Sequence, residues 1–170
     1  MITLSTLYKG KQHFENFINS KNLNLEKDCF IRIYTAIHSP TEILEVVRIV
    51  KNIIPNSRLI GGSCSGLVFN GKQFDEETLI IIEQFENVDI KINVHHFKDK
   101  DTYTLAKEVN NSIIGLQVPL MHILCSDYYT DVSDFVNDFN SLNNTTRLVG
   151  GVLGEVLPKN LPPYVFTEEG

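Results

Sequence analysis

The segment Arg58–Gly66, RLIGGSCSG, is echoed by Arg147–Glu155, RLVGGVLGE, with the same Arg-Leu-aliphatic-Gly-Gly opening. The agreement extends upstream without a gap. Ile43, Val46, Val47, Val50 and Ile53 before the first copy correspond, at the same offset, to Val132, Phe135, Val136, Phe139 and Leu142 before the second. Apolar residues at this spacing form one stripe of an α-helix. A short apolar run precedes each helix, Cys29–Ile37 and Pro119–Cys125, with the composition of a buried strand. The repeated unit is therefore strand, helix, strand, and a helix of this length between two strands makes a crossover whose strands run parallel.

Between the copies the pattern turns antiparallel. Asn70-Gly71, between Leu67-Val68-Phe69 and Lys72-Gln73-Phe74, is a two-residue hairpin signal. Thr78–Phe85 reads as an Ile-rich strand, and Asp89–Phe97 alternates as a further one, with Ile90, Ile92, Val94 and His96 on one face. Elsewhere Ile2–Leu7 is expected as a strand, Lys11–Ser20 as a helix built on Phe14, Phe17 and Ile18, and Asp101–Ile114 as another helix. Ser39-Pro40-Thr41-Glu42 gives the first crossover helix a capping box with Pro at its first position. Pro55-Asn56 ends that helix, and Arg58–Ile60 then deliver the first Gly-Gly loop. The expected fold is a single α/β domain over residues 1–170. It has a mixed β-sheet, two parallel βαβ crossover units, an antiparallel meander between them, and helices packed on the sheet. The close, Tyr164-Val165-Phe166 followed by Glu168-Glu169-Gly170, starts a strand and stops, so further chain is expected beyond it.

Composition narrows the partners. The 170 residues are 42% hydrophobic with a net charge of −6 and a pI near 5.3, enough apolar material for a full core and the wrong sign for a nucleic-acid surface. No apolar stretch reaches membrane-spanning length and the opening MITLSTLYKGKQ lacks signal-peptide order, so a cytoplasmic location is expected. Cys29, Cys64 and Cys125 are odd in number and form no C-x-x-C pair, which argues against a disulfide framework or a zinc site.

Ligands of open α/β sheets bind beyond the carboxyl ends of parallel strands, where both Gly-Gly loops emerge. Those loops are read either as tight packing points or as a binding site. In the second reading Gly61, Gly62, Ser63, Cys64, Ser65 and Gly66 offer backbone N–H groups and hydroxyls as a nest for a carboxylate. Glu155, at the end of the Gly150-Gly151 loop, then meets the positive end of a zwitterion, and Tyr128 and Tyr129 line the pocket from the end of a predicted strand. The spacing of Gly61 and Gly66 resembles a phosphate loop, but Leu67-Val68 stands where Lys-Ser/Thr is needed, so nucleotide binding is rejected. Gly62-Ser63-Cys64-Ser65-Gly66 also resembles a nucleophile elbow, with His95, His96 or His122 as base, although a hairpin follows where that motif requires a helix. His95 and His96 point to opposite faces of a strand and cannot easily share a metal, while a lone His96 or His122 is more often a core residue than a haem ligand. Asp127, Asp131, Asp134 and Asp138 read as a solvated helix face whose first carboxylates suit the helix dipole.

These residues resemble the N-terminal part of the FIST family of sensory domains. Ile60-Gly61-Gly62-Ser63-Cys64-Ser65-Gly66 is similar to that family's I-G-x-S-T-x-G-E segment, and Val149-Gly150-Gly151-Val152-Leu153-Gly154-Glu155 to its V-G-G-x-A-G-D. The stretch from Asn70 to Phe85 and the closing Tyr164-Val165-Phe166 also fit, so the resemblance runs from about Phe30 onward. Cys64 stands where the family has Thr, and Leu67 where it has an acidic residue. The resemblance implies a ligand-sensing module for small polar metabolites such as amino acids, followed by a second FIST half and a signalling output domain. No cofactor is required by that reading. Family members that bind haem and respond to nitric oxide make a haem sensor the first alternative, a Cys64 hydrolase the second, and a structural module that homodimerises the last.

Overall fold

The computed structural model describes residues 1–97, 100–126, 131–153 and 163–170. Its elements are β1 Ile2–Leu7, α1 Lys11–Asn19, β2 Cys29–Thr35, α2 Pro40–Ile53, β3 Ser57–Ser63, β4 Leu67–Phe69, β5 Lys72–Phe74 and β6 Thr78–Gln84. After them come α3 Thr102–Ser112, β7 Leu120–Cys125, α4 Val132–Leu142, β8 Arg147–Val152 and β9 Val165–Thr167. The chain divides into two compact units, one of residues 1–92 with 153–170 and one of residues 93–152.

The first unit holds a five-stranded mixed sheet in the order β1-β6-β2-β3-β9. β2 and β3 pair parallel across α2, with Ile31 beside Leu59 and Thr35 beside Ser63. β6 lies antiparallel between β1 and β2, and β9 antiparallel on β3. Alternation along β2 turns Cys29, Ile31, Ile33 and Thr35 inward. The apolar residues among them meet Ile43, Val46, Val47 and Val50 of α2 and Phe14 and Ile18 of α1 in one core. Each such side chain, fully buried, contributes on the order of 1.5–3 kcal/mol. α2 begins where its sequence requires: the Ser39 hydroxyl accepts from the Glu42 N–H at 3.4 Å, with Pro40 at the first helical position. Buried Gln84 clamps the loop before β2, donating to the Asn24 carbonyl at 2.7 Å and accepting the Asn24 N–H at 3.3 Å. The β4–β5 hairpin turns on Asn70 and Gly71, whose φ values of 50° and 73° are those of a type I′ turn.

The second unit contains the other crossover. β7 and β8 pair parallel, Leu120 beside Arg147 through Cys125 beside Val152, and α4 connects them. Asp131 caps α4 by accepting from Ser133 and Asp134 N–H groups at 2.9 and 3.2 Å, the dipole-matched role read from the aspartate series. Phe135 and Phe139 of α4 pack with Ala106 and Val109 of α3, and Met121, Ile123 and Leu148 of the strand pair join them.

The α/β class, the mixed sheet and both parallel crossovers agree with the sequence. Two details differ. Asp89–Phe97 forms no strand, although its composition alternates. Alternation marks a segment that exposes one side, while a strand also needs a neighbour to take its backbone hydrogen bonds. Among the described residues the two crossovers also belong to different sheets, with β7 and β8 pairing as a separate two-stranded sheet.

Candidate functional site

β2 and β3 end side by side, and the chain leaves both strands at the same edge of the sheet. β3 runs further than expected, through Gly61 and Gly62 to Ser63, because β2 on one side and β9 on the other continue its ladders. The loop proper therefore starts at Cys64.

This extension explains the paired glycines. A Cβ on Gly61 would run into the ring of Phe166 and stand 2.7 Å from the Ile33 carbonyl oxygen, and one on Gly62 would run into Leu153. At Gly61 the Ile33 carbonyl is backbone and cannot move aside, whereas at Gly62 the flexible Leu153 side chain is all that a Cβ would displace. Ser63 is fully buried: its N–H donates to the Tyr164 carbonyl at 2.9 Å, and its Oγ accepts the Tyr164 N–H at 2.7 Å. The Cys64 N–H donates to the Thr35 carbonyl at 2.8 Å. The anion nest expected across Gly61–Ser65 is therefore not available as drawn, since the Ser63 and Cys64 donors it counted are spent on the sheet and its edge.

What remains open is the far side of the loop. Ser65, Gly66, Leu67, Val68 and Gln73 line a groove of about 250 Å³. Of the loop residues singled out by sequence, Ser65 and Gly66 border this groove and Cys64 lies half-buried behind them, while Gly61, Gly62 and Ser63 serve the sheet. Gly150 and Gly151 lie in β8 of the second unit. Tyr128, Tyr129 and Glu155 lie outside the described residues.

Two residues that sequence reasoning missed stand beside the loop. His38 follows β2 and places its Nε2 3.2 Å from the Cys64 carbonyl oxygen. Asp75 accepts from the Gln73 amide at 2.7 Å and lies on the side of Gly66 where a Cβ would point. A signal for His38 was present, since it sits between a predicted strand end and the Ser39 cap, where α/β ligands bind. Asp75 carried no comparable signal.

The loop does not activate its cysteine. Burial pushes the Cys64 thiol above its ordinary value, and the Gly66 backbone N–H offsets only part of this. The thiol donates to the Thr35 carbonyl at 3.5 Å, which also favours its protonated form. The strand is followed by the short strand β4, without the helix of a nucleophile elbow. At neutral pH, Cys64 is expected to alkylate with iodoacetamide more slowly than cysteine in an unstructured peptide. Rapid labelling with a titration midpoint below about 8.5 would reverse this reading. The groove lining, Ser65, Gly66, Leu67, Val68 and Gln73, offers no imidazole to a haem iron, so this groove does not fit that cofactor.

Among the described residues no helix is long and apolar enough to cross a membrane, and no group of three or more His, Cys, Asp or Glu is placed to hold a metal ion. Comparison with curated proteins and with solved structures finds no match. The family model of the FIST N domain matches residues 30–170, which takes in β2, α2, β3, the loop and groove, and the whole of the second unit. The chain therefore belongs to the FIST N family of signal-transduction sensory domains.

Proposed function

We propose that this chain is the ligand-sensing part of a signalling protein and that its first loop binds a small polar metabolite of the amino-acid type. The observation that carries the reading is the groove at Ser65–Gln73, set at the carboxyl ends of two adjacent parallel strands. Its wall combines the Ser65 hydroxyl, the Gly66 backbone and the Gln73 amide with the apolar Leu67 and Val68, a mixed lining suited to a compact metabolite, and the loop carries no activated nucleophile. Occupancy is read out as a shift in the population of conformations offered to neighbouring signalling elements. Gly150, Gly151 and Glu155 of the second Gly-Gly segment, and Tyr128 and Tyr129 after β7, stay as separately proposed ligand contacts.

Thermal unfolding against each of the twenty amino acids in large excess tests this. A ligand at about a hundred times its dissociation constant adds roughly 2.7 kcal/mol to the folded state, a rise of a few degrees at this chain length. Ser65→Ala and Gln73→Ala are the informative variants, since both side chains are exposed and neither supports the sheet. A selective rise that either variant abolishes is the expected result. Flat curves for all twenty would overturn amino-acid binding by this chain, and a strong visible absorption band on adding haem would favour the haem alternative.

A further inference from the structure

The sheet of the first unit ends in β1 on one side and β9 on the other, and only one of these edges is blunted. β9 is a 3-residue strand that runs into Glu168 and Glu169, a short and charged edge that offers little to another chain. β1 is 6 residues long and carries no charge, proline or glycine. Its register on β6 tells which of its backbone groups are used. The Tyr8 N–H donates to the Thr78 carbonyl at 2.8 Å, and the same register continues from Leu7 beside Leu79 to Ile2 beside Gln84. Hydrogen-bonded pairs alternate along an antiparallel ladder, so Thr6, Leu4 and Ile2 exchange bonds with β6, while the N–H and C=O groups of Thr3, Ser5 and Leu7 point away from the sheet. The other side of β6 agrees: the Ala36 N–H donates to the Glu77 carbonyl, which turns the odd-numbered residues of β6 to β2 and leaves the even-numbered ones for β1. Thr3 and Ser5 are exposed, and among the described residues the outward N–H groups of β1 have no partner. The Leu7 carbonyl accepts from the Thr6 hydroxyl at 3.2 Å and keeps a second lone pair.

We infer that β1 is a docking edge for a second copy of this chain, joined β1 to β1 in antiparallel orientation about a two-fold axis through Ser5. The strand is complementary to itself. With Ser5 opposite Ser5 of the second copy, Thr3 lies opposite Leu7, and every outward N–H of both strands meets an outward carbonyl. The same register sets Ile2, 38% exposed, opposite Tyr8 of the second copy on the face where Leu4 already packs against the core. Charge favours this place of contact, since copies with a net charge of −6 repel one another unless they meet at a neutral surface, and β1 is one. β1 also precedes the residues matched by the family model, so the edge is a feature of this chain. Because β1 runs parallel to β2, the two-fold axis sends the ends of β2 and β3 in the two copies in opposite directions, and pairing is independent of the ligand reading of the first loop.

Sedimentation equilibrium of the full chain should show a concentration-dependent monomer–dimer equilibrium, and amide hydrogen exchange should slow at Thr3, Ser5 and Leu7 as concentration rises. Ser5→Pro removes the N–H at the two-fold axis, a group that β6 does not use, and should weaken the dimer by about tenfold or more. Ser5→Lys and Ser5→Glu each set like charges face to face across the axis and should be more monomeric than wild type, while an equimolar mixture of the two should pair. A chain that stays monomeric up to about 1 mM overturns the inference. So does a dimer in which the Thr3, Ser5 and Leu7 amides exchange as fast as in the monomer, or a mixture of the Ser5→Lys and Ser5→Glu variants that stays monomeric. The exchange measurement uses wild type alone and decides the matter even where Ser5→Pro does not fold.

Discussion

Replacing Gly150 by Ala is expected to destabilise the protein by roughly 2–6 kcal/mol, with strained backbone and overpacking each supplying about 1–3. Gly150 has φ of 136°, where an L side chain is strained whatever space surrounds it. The added Cβ would also run into the Ile123 carbonyl group on the paired strand β7, which is backbone and cannot rotate away. The adjacent Gly151 is the control. Its φ is not positive and a Cβ there meets nothing within 4 Å, so Gly151→Ala should change stability by no more than about 1 kcal/mol. Urea unfolding of both variants decides the point. Equal losses, or a larger loss at Gly151, would show that β8 does not run as described.

Phe14→Ala should cost a comparable amount, about 3–5 kcal/mol for emptying a fully buried aromatic position. Phe14 lies before the residues matched by the family model, yet it is fully buried in the core with Ile31, Ile33 and Val50. The first 29 residues are therefore part of the folding unit: β1 forms the edge of the sheet on β6, and α1 covers part of its face. Phe17, one turn away on the same helix, is only half-buried and holds Lys21 over its ring at 5.3 Å. Phe17→Ala should thus cost distinctly less than Phe14→Ala, and a reversal of that order in urea unfolding would refute this packing of α1.

The two Gly-Gly pairs look alike in sequence and are used differently. In β3 Gly61 is held to hydrogen by the Phe166 ring and the Ile33 carbonyl and Gly62 packs against the flexible Leu153 side chain, while in β8 only Gly150 is confined. The reading of the pairs as packing points thus accounts for Gly61, Gly62 and Gly150, and the ligand reading retains the loop that follows the first pair.

Twelve of the thirteen elements lie within a residue or two of where periodicity, capping residues and the Asn-Gly turn place them. β3 is the exception, carried by its neighbours three residues beyond its expected end at Ile60. These signals are local. A stripe at helical spacing, a Ser-Pro cap or a two-residue turn constrains the chain within a few residues of itself, and the apolar stripes then decide which faces are buried. The parallel pairing of β2 with β3 and of β7 with β8 was legible for the same reason, since a connecting helix leaves the strands little alternative. What only the tertiary structure decided depends on neighbours distant in the chain. β3 extends through Ser63 because β9, about a hundred residues later, supplies the other half of its ladder. Asp89–Phe97 stays out of the sheets because alternation specifies a face and not a partner. Which backbone groups of the first loop are already occupied follows from Thr35 and His38 at the end of β2 and Tyr164 near the chain's end meeting it in space. Hydrogen bonding is settled by which groups meet in space, and the loop's own residues do not encode that meeting.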